Sequence, residues 1–217
     1  MPRYYGFILI LLLTACLPQS APIEPARDIE VQERVLNEDF TTQGNWSSYN
    51  TDALSINVID DVYRLLTNQR NQYIWGTNNI EYDNTIIDVD VRWLDDNPYA
   101  FAGVICRLQP ANGQGYYVIV SADGDFSIRY LGRTIDDAIV RWRNHPNIPE
   151  SGSFRMRVAC VDDFIALYIN GVYIDGGEDS RLDDGAIGLT LGLPDIASAN
   201  NTGVEFDNLR VWEATLP

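Results

Sequence analysis

The sequence predicts an all-β chain closed into a two-sheet antiparallel β-sandwich, and three observations lead there. Short runs rich in β-branched and aromatic residues recur at roughly ten-residue spacing. Turn pairs such as Asp60-Asp61, Asn112-Gly113, Asp123-Gly124 and Asp184-Gly185 fall between them, and no stretch shows a sustained helical period. The third is residues 154–176, where two alternating runs meet at Asp162-Asp163 and a third follows Asn170-Gly171. Asn-Gly accepts the positive φ of a type I′ turn, so this stretch reads as a three-strand meander. Such a meander needs a second sheet to bury its apolar face.

Taken in order, residues 1–15 carry one early cation, Arg3, and then a short apolar core. About a dozen apolar residues are too few to span a bilayer, which needs roughly twenty, so this segment reads as a cleaved signal peptide. Its end, Leu13-Thr14-Ala15-Cys16, resembles the bacterial lipoprotein box, which implies Cys16 as the lipidated first residue of the mature protein. Residues 16–34 hold scattered prolines and charge without an apolar period and are expected to form a tether. Its reach is roughly 60 Å at about 3.3 Å per residue. The expected location is the cell envelope, with the domain outside the cytoplasm.

The folded domain is expected over residues 35–213. It opens with the run 35–40 and Trp46, and continues through runs at 54–58, 63–67, 73–75, 85–93, 100–108, 115–121 and 126–131. The meander follows, then 186–191 and 204–212. The balance of 15 Lys+Arg, all of them arginine, against 31 Asp+Glu gives a net charge of −16. That field repels nucleic acid and anionic membrane surfaces, so a partner reached through either is not expected and membrane contact rests on the lipid alone.

The order of Glu38-Asp39-Phe40 with Trp46, then 101–107, Gly115-Tyr116-Tyr117, the Asn170-Gly171 hairpin, 185–189 and 204–211 resembles the concanavalin A-like lectin/glucanase jelly rolls. These include laminin-G-like and keto-disaccharide-hydrolase-like domains. The resemblance implies one concave sheet, and a structural Ca²⁺ for which Asp39 and Asp207 match the ligand positions.

Several constellations could carry chemistry. Cys106 and Cys160 fall on apolar faces of their strands and read either as a core disulfide or as two buried thiols. Asp88 and Asp90 share a face with Arg92, as a charge ladder with partners such as Arg107 and Arg129, or as a carboxylate pair of the kind retaining glycosidases need. The two glutamates that laminarinase-type strands carry beside such an Asp are missing. His145 stands alone in a loop, which excludes a histidine triad or multi-histidine metal site. If the face bearing Asp88 and Asp90 is concave, Arg107, Tyr117, Arg129 and Trp142 are its expected neighbours, offering stacking and hydrogen bonding to a sugar. The expected function is binding of carbohydrate or a cell-surface polymer without catalysis. A glycoside hydrolase, or a structural or adhesive envelope protein without a small ligand, are the alternatives.

Overall fold

The structure, a computed structural model, describes residues 26–195 and 201–217. The leader and Cys16 lie outside them. Fifteen strands run in order as β1 (Glu30–Glu38), β2 (Tyr49–Asn50), β3 (Leu54–Ile59), β4 (Val62–Thr67), β5 (Gln72–Tyr82), β6 (Thr85–Trp93), β7 (Phe101–Gln109) and β8 (Gln114–Ser121). They continue as β9 (Asp125–Leu131), β10 (Asp136–Asn144), β11 (Ser153–Val161), β12 (Phe164–Ile169), β13 (Val172–Glu178), β14 (Gly185–Leu193) and β15 (Thr202–Thr215). The described residues contain no α-helix.

All pairings are antiparallel. One sheet has the order β13-β12-β11-β6-β15-β4-β3-β2, with β1 also on β15, and the other β10-β9-β8-β7-β14-β5. The expected meander is β11-β12-β13, and its turn residues Asn170 and Gly171 both have positive φ, 50° and 81°. Asp60 and Asp61, at 53° and 59°, turn β3 into β4 in the same way.

Three boundaries differ from the sequence reading. Residues 30–34 belong to β1 and not to a tether, because β15 offers them a partner edge that no local pattern announces. Strand β5 extends well past residue 75, and β10 was not anticipated at all. It carries four charged residues, Asp136, Asp137, Arg141 and Arg143, and its register against β9 shifts twice, which hides the period-two signal.

Between the sheets lies a core in which Val89, Met156, Leu167 and Phe206 of one layer meet Val104, Val118, Ile128 and Leu189 of the other. Each such side chain contributes about 1.5–3 kcal/mol through burial. The opening motif works locally. Glu38 accepts the Phe40 amide at 3.0 Å and the Trp46 indole N–H at 3.1 Å, which sets both rings around Tyr63. Cys106 on β7 and Cys160 on β11 form a disulfide across the two sheets, with Cα atoms 6.6 Å apart.

Candidate functional site

The outer face of the β10–β5 sheet is built from the residues that alternate with the core positions. Small residues lie at its middle: Gly103, Thr190, Gly192 and Ser127. They leave room for long side chains from neighbouring strands to lie across them. A Cβ at Gly192 would meet the Phe101 ring at 2.1 Å, so glycine there is what lets that ring lie flat. Tyr73 of β5 reaches Phe101 and Tyr117, with centroids 4.9 and 5.1 Å apart, and Phe101 meets Trp142 of β10 at 6.1 Å. The result is an aromatic floor.

Over one end of this floor opens a groove of about 360 Å³, lined by Tyr73, Tyr99, Phe101, Arg129, Asp136 and Trp142 among others. Trp142 and Tyr99 are 39% and 43% exposed, so their faces are free to stack. Arg129 donates from Nε to Asp136 at 2.6 Å and from a terminal nitrogen to Ser127 Oγ at 3.3 Å. This planar pair, with Asp136 half exposed, lines the groove beside the aromatic rings. Toward the other end of the sheet Tyr117, Ile119 and Leu108 are buried beneath Trp75 and Leu131, and the face is filled.

Burial, followed by the nearby Asp136 charge, pushes the Tyr73 hydroxyl up to about 12. Tyr116 is likewise pushed up to about 12, by burial and by its hydrogen bond to Asp179, and burial raises Tyr63 and Tyr117 as well. A tyrosine whose folded pKa lies above its unfolded value near 10 stabilises the fold while protonated and loses that contribution as pH rises. Stability is therefore expected to fall between pH 10 and about 12, checked by urea midpoints across that range. A flat profile there would contradict the burial of these hydroxyls.

The structure divides the residues singled out from sequence. Arg129 and Trp142 line the groove, and Tyr117 does not: it packs against Tyr73 in the filled part of the face, 1% exposed, with its hydroxyl donating to the Gly113 carbonyl at 2.9 Å. Asp88 and Asp90 sit on the opposite outer surface, that of the β13–β2 sheet. There Asp88 accepts two bonds from Arg157 at 2.6 and 2.9 Å, and Asp90 one from Arg155 at 2.8 Å. The register pairs these residues directly, so the ladder reading holds, with partners from β11 instead of Arg107 and Arg129.

Arg107 is the clearest correction. Parity along β7 sends it outward, but it adopts φ of 53° in a bulge after Cys106 that reverses the alternation. Its guanidinium turns to the end of the sandwich and donates to the carbonyls of Asp162 and Leu182, both at 2.7 Å, and to Asn84 Oδ1 at 2.9 Å. It is 3% exposed and clamps three loops together. The same bulge places Leu108 on the outer face and not in the core.

The expected calcium ligands do not form a cage. Asp39 accepts from the Thr41 amide and hydroxyl at 3.2 and 2.9 Å, and Asp207 from the Asn208 amide and side chain at 2.6 and 3.1 Å. Glu38 is held by Phe40 and Trp46, and among the described residues no group of three acidic, histidine or cysteine side chains could hold a metal ion. The residues present therefore do not fit the six to eight oxygen ligands Ca²⁺ takes.

Sequence reasoning missed Tyr73, Tyr99, Phe101, Asp123, Asp125 and Asp136. One local signal was available, Tyr73 and Trp75 alternating on one face of a strand, while the rest became visible only through pairing.

No protein-family model and no curated protein matches this sequence. Solved structures do. The chain is similar to a carbohydrate-binding module, CBM66, from Bacillus subtilis, at 14% identity and TM-score 0.62 over 79% of this chain and 97% of that one. A protein of unknown function with a galectin-like fold, also from Bacillus subtilis, aligns at 12% identity and TM-score 0.67 over 88% and 100%. A β-1,3-1,4-glucanase (lichenase) derived from a mouse hindgut metagenome aligns at 10% identity and TM-score 0.61 over 82% and 98%. At these identities the likeness concerns the fold, and with the two antiparallel layers described above it gives this chain a concanavalin A-like jelly-roll fold.

Proposed function

We propose that this chain is an exported, lipid-anchored domain that binds a glycan in the groove on the β10–β5 sheet and does not cleave it. The observation that carries this reading is the groove itself, where exposed Trp142 and Tyr99 flank a floor of buried rings beside the Arg129–Asp136 pair. Aromatic faces take the C–H surfaces of a sugar, and the planar polar pair takes its hydroxyls. Two of the similar solved structures are described as a carbohydrate-binding module and a glucanase, which supports a saccharide as the ligand class.

Binding without hydrolysis is favoured by the strands at the centre of the sheet. Retaining cleavage needs two carboxyl groups about 5–5.5 Å apart, and inversion about 6.5–9.5 Å. Strands β7, β8 and β14 at the centre of the sheet contain no aspartate or glutamate, and of the three carboxyl groups lining the groove Asp136 is paired with Arg129 while Asp123 and Asp125 stand at the β8–β9 turn. Export and anchoring are supported by the leader and the Leu13-Thr14-Ala15-Cys16 box, and a disulfide such as Cys106–Cys160 suits an oxidising compartment.

On a glycan array, Trp142→Ala and Arg129→Ala are each expected to weaken binding at least about tenfold. Asp88→Asn and Asp90→Asn, on the opposite face, should leave it unchanged, and the exposed Asp90 should cost about 1 kcal/mol of stability or less. An array without hits, or hits indifferent to Trp142, would remove this reading. Reducing-sugar release by the wild-type domain would replace it with hydrolysis. The anchor predicts a lipid mass increment on the mature chain that disappears in Cys16→Ser.

A further inference from the structure

The charges around the groove are strongly one-sided. Its lining includes Asp123, Asp125, Asp136 and a single cation, Arg129. Arg129 is already committed, since it pairs with Asp136 and also donates to Ser127. Asp123 accepts the Ser121 hydroxyl and, like Asp125, forms no ion pair among the described residues. Arg70, near the mouth, bonds the Asp195 carbonyl and is not part of the lining. Two carboxylates thus stand uncompensated at the β8–β9 end of a site whose only guanidinium is neutralised, in a protein of net charge −16.

We infer that the groove selects its glycan by charge, accepting uncharged or amine-bearing sugars and rejecting uronic, sialic and sulfated ones, with Asp123 and Asp125 as the residues that set this preference. The inference rests on the glycan-binding reading above. An acidic sugar entering the groove would bring its carboxylate or sulfate against Asp123 and Asp125 with no unpaired cation in the described lining to receive it. In a partly enclosed site such like-charge contact is screened less than on open surface. A neutral ring meets the same carboxylates as acceptors for its hydroxyls, and a protonated amine meets them as counter-charges. The aromatic floor is indifferent to charge and supplies stacking in all cases.

The test uses the full domain and matched oligosaccharide pairs that differ in charge: oligogalacturonate against its methyl ester, sialylated against desialylated lactose glycans, and glucosamine against N-acetylglucosamine oligomers. Within either of the first two pairs, where it binds, the anionic member is expected to bind at least about tenfold more weakly at low ionic strength, with the gap narrowing at high salt, and the cationic glucosamine oligomer is expected to bind at least as tightly as its N-acetyl partner. The Asp123→Asn/Asp125→Asn double variant should close that gap, and a thermal melt at the wild-type midpoint reports its intact fold. An anionic member binding as well as its neutral partner, in a Trp142-dependent manner, overturns the charge selection and leaves the groove reading standing. Absence of any hit, or hits that survive Trp142→Ala, overturns the groove reading and the inference with it.

Discussion

Replacing Cys106 and Cys160 together by alanine is expected to lower stability by about 4 kcal/mol, the loop-entropy value for a cross-link spanning a sequence separation of 54. For a domain of this size that corresponds to a melting temperature lower by roughly 8–16 °C. The effect is large because the bond joins β7 to β11, one strand from each sheet, and so restrains the unfolded chain between elements whose only other link is burial. Thermal melts of the double variant, and of the wild type with and without reductant, check it. Coincident melting curves would show that the two sulfurs contribute only as small apolar side chains. The groove lies on the outer surface, so the glycan affinity proposed for it should be kept in whatever fraction remains folded.

The second large effect is expected at Arg107. Truncation to alanine removes a buried guanidinium that donates to the carbonyls of Asp162 and Leu182 and to the side chain of Asn84, leaving the two carbonyls without this donor while Asn84 Oδ1 keeps the Asp162 amide. At about 1–3 kcal/mol for an unsatisfied buried group, the cost should reach about 4 kcal/mol. Lysine should not rescue it, because one ammonium cannot reproduce a planar fork aimed at three loops. Denaturant midpoints measure the loss, and glycan affinity measured on the folded protein should remain at the wild-type value. A variant that keeps its stability and loses its ligand would return Arg107 to the binding surface. Trp142→Ala should do the reverse, losing affinity and keeping stability, so the two substitutions separate a structural arginine from a binding tryptophan.

Much of the layered fold was legible because strand periodicity is a local property. The alternation of Phe154, Met156 and Val158 and the Asn170-Gly171 turn are written within a few residues, and β11 to β13 follow them. Where the local signal was absent the reading stopped. Strand β10, rich in charge and twice shifted in register, shows no period-two run, and β1 begins earlier than its apolar run suggests.

The site was less legible, and the reason lies in how sheets assemble. Parity along one strand says which residues share a face, not which sheet that face belongs to, so Asp88 and Asp90 were grouped with Arg129 although a whole sandwich separates them. A single bulge at Arg107 then reversed the parity of its own strand.

By itself, then, the chain's order of residues determined that it would make two facing antiparallel layers, since alternation, turn chemistry and the need to cover an apolar face are short-range demands. Only the tertiary structure decided which outer surface offers a groove, that Tyr73, Phe101 and Trp142 from three separate strands share its floor, and that Arg129 arrives there already paired with Asp136. Those relations depend on strand order and register, which are fixed by contacts between residues far apart in sequence and leave no local trace.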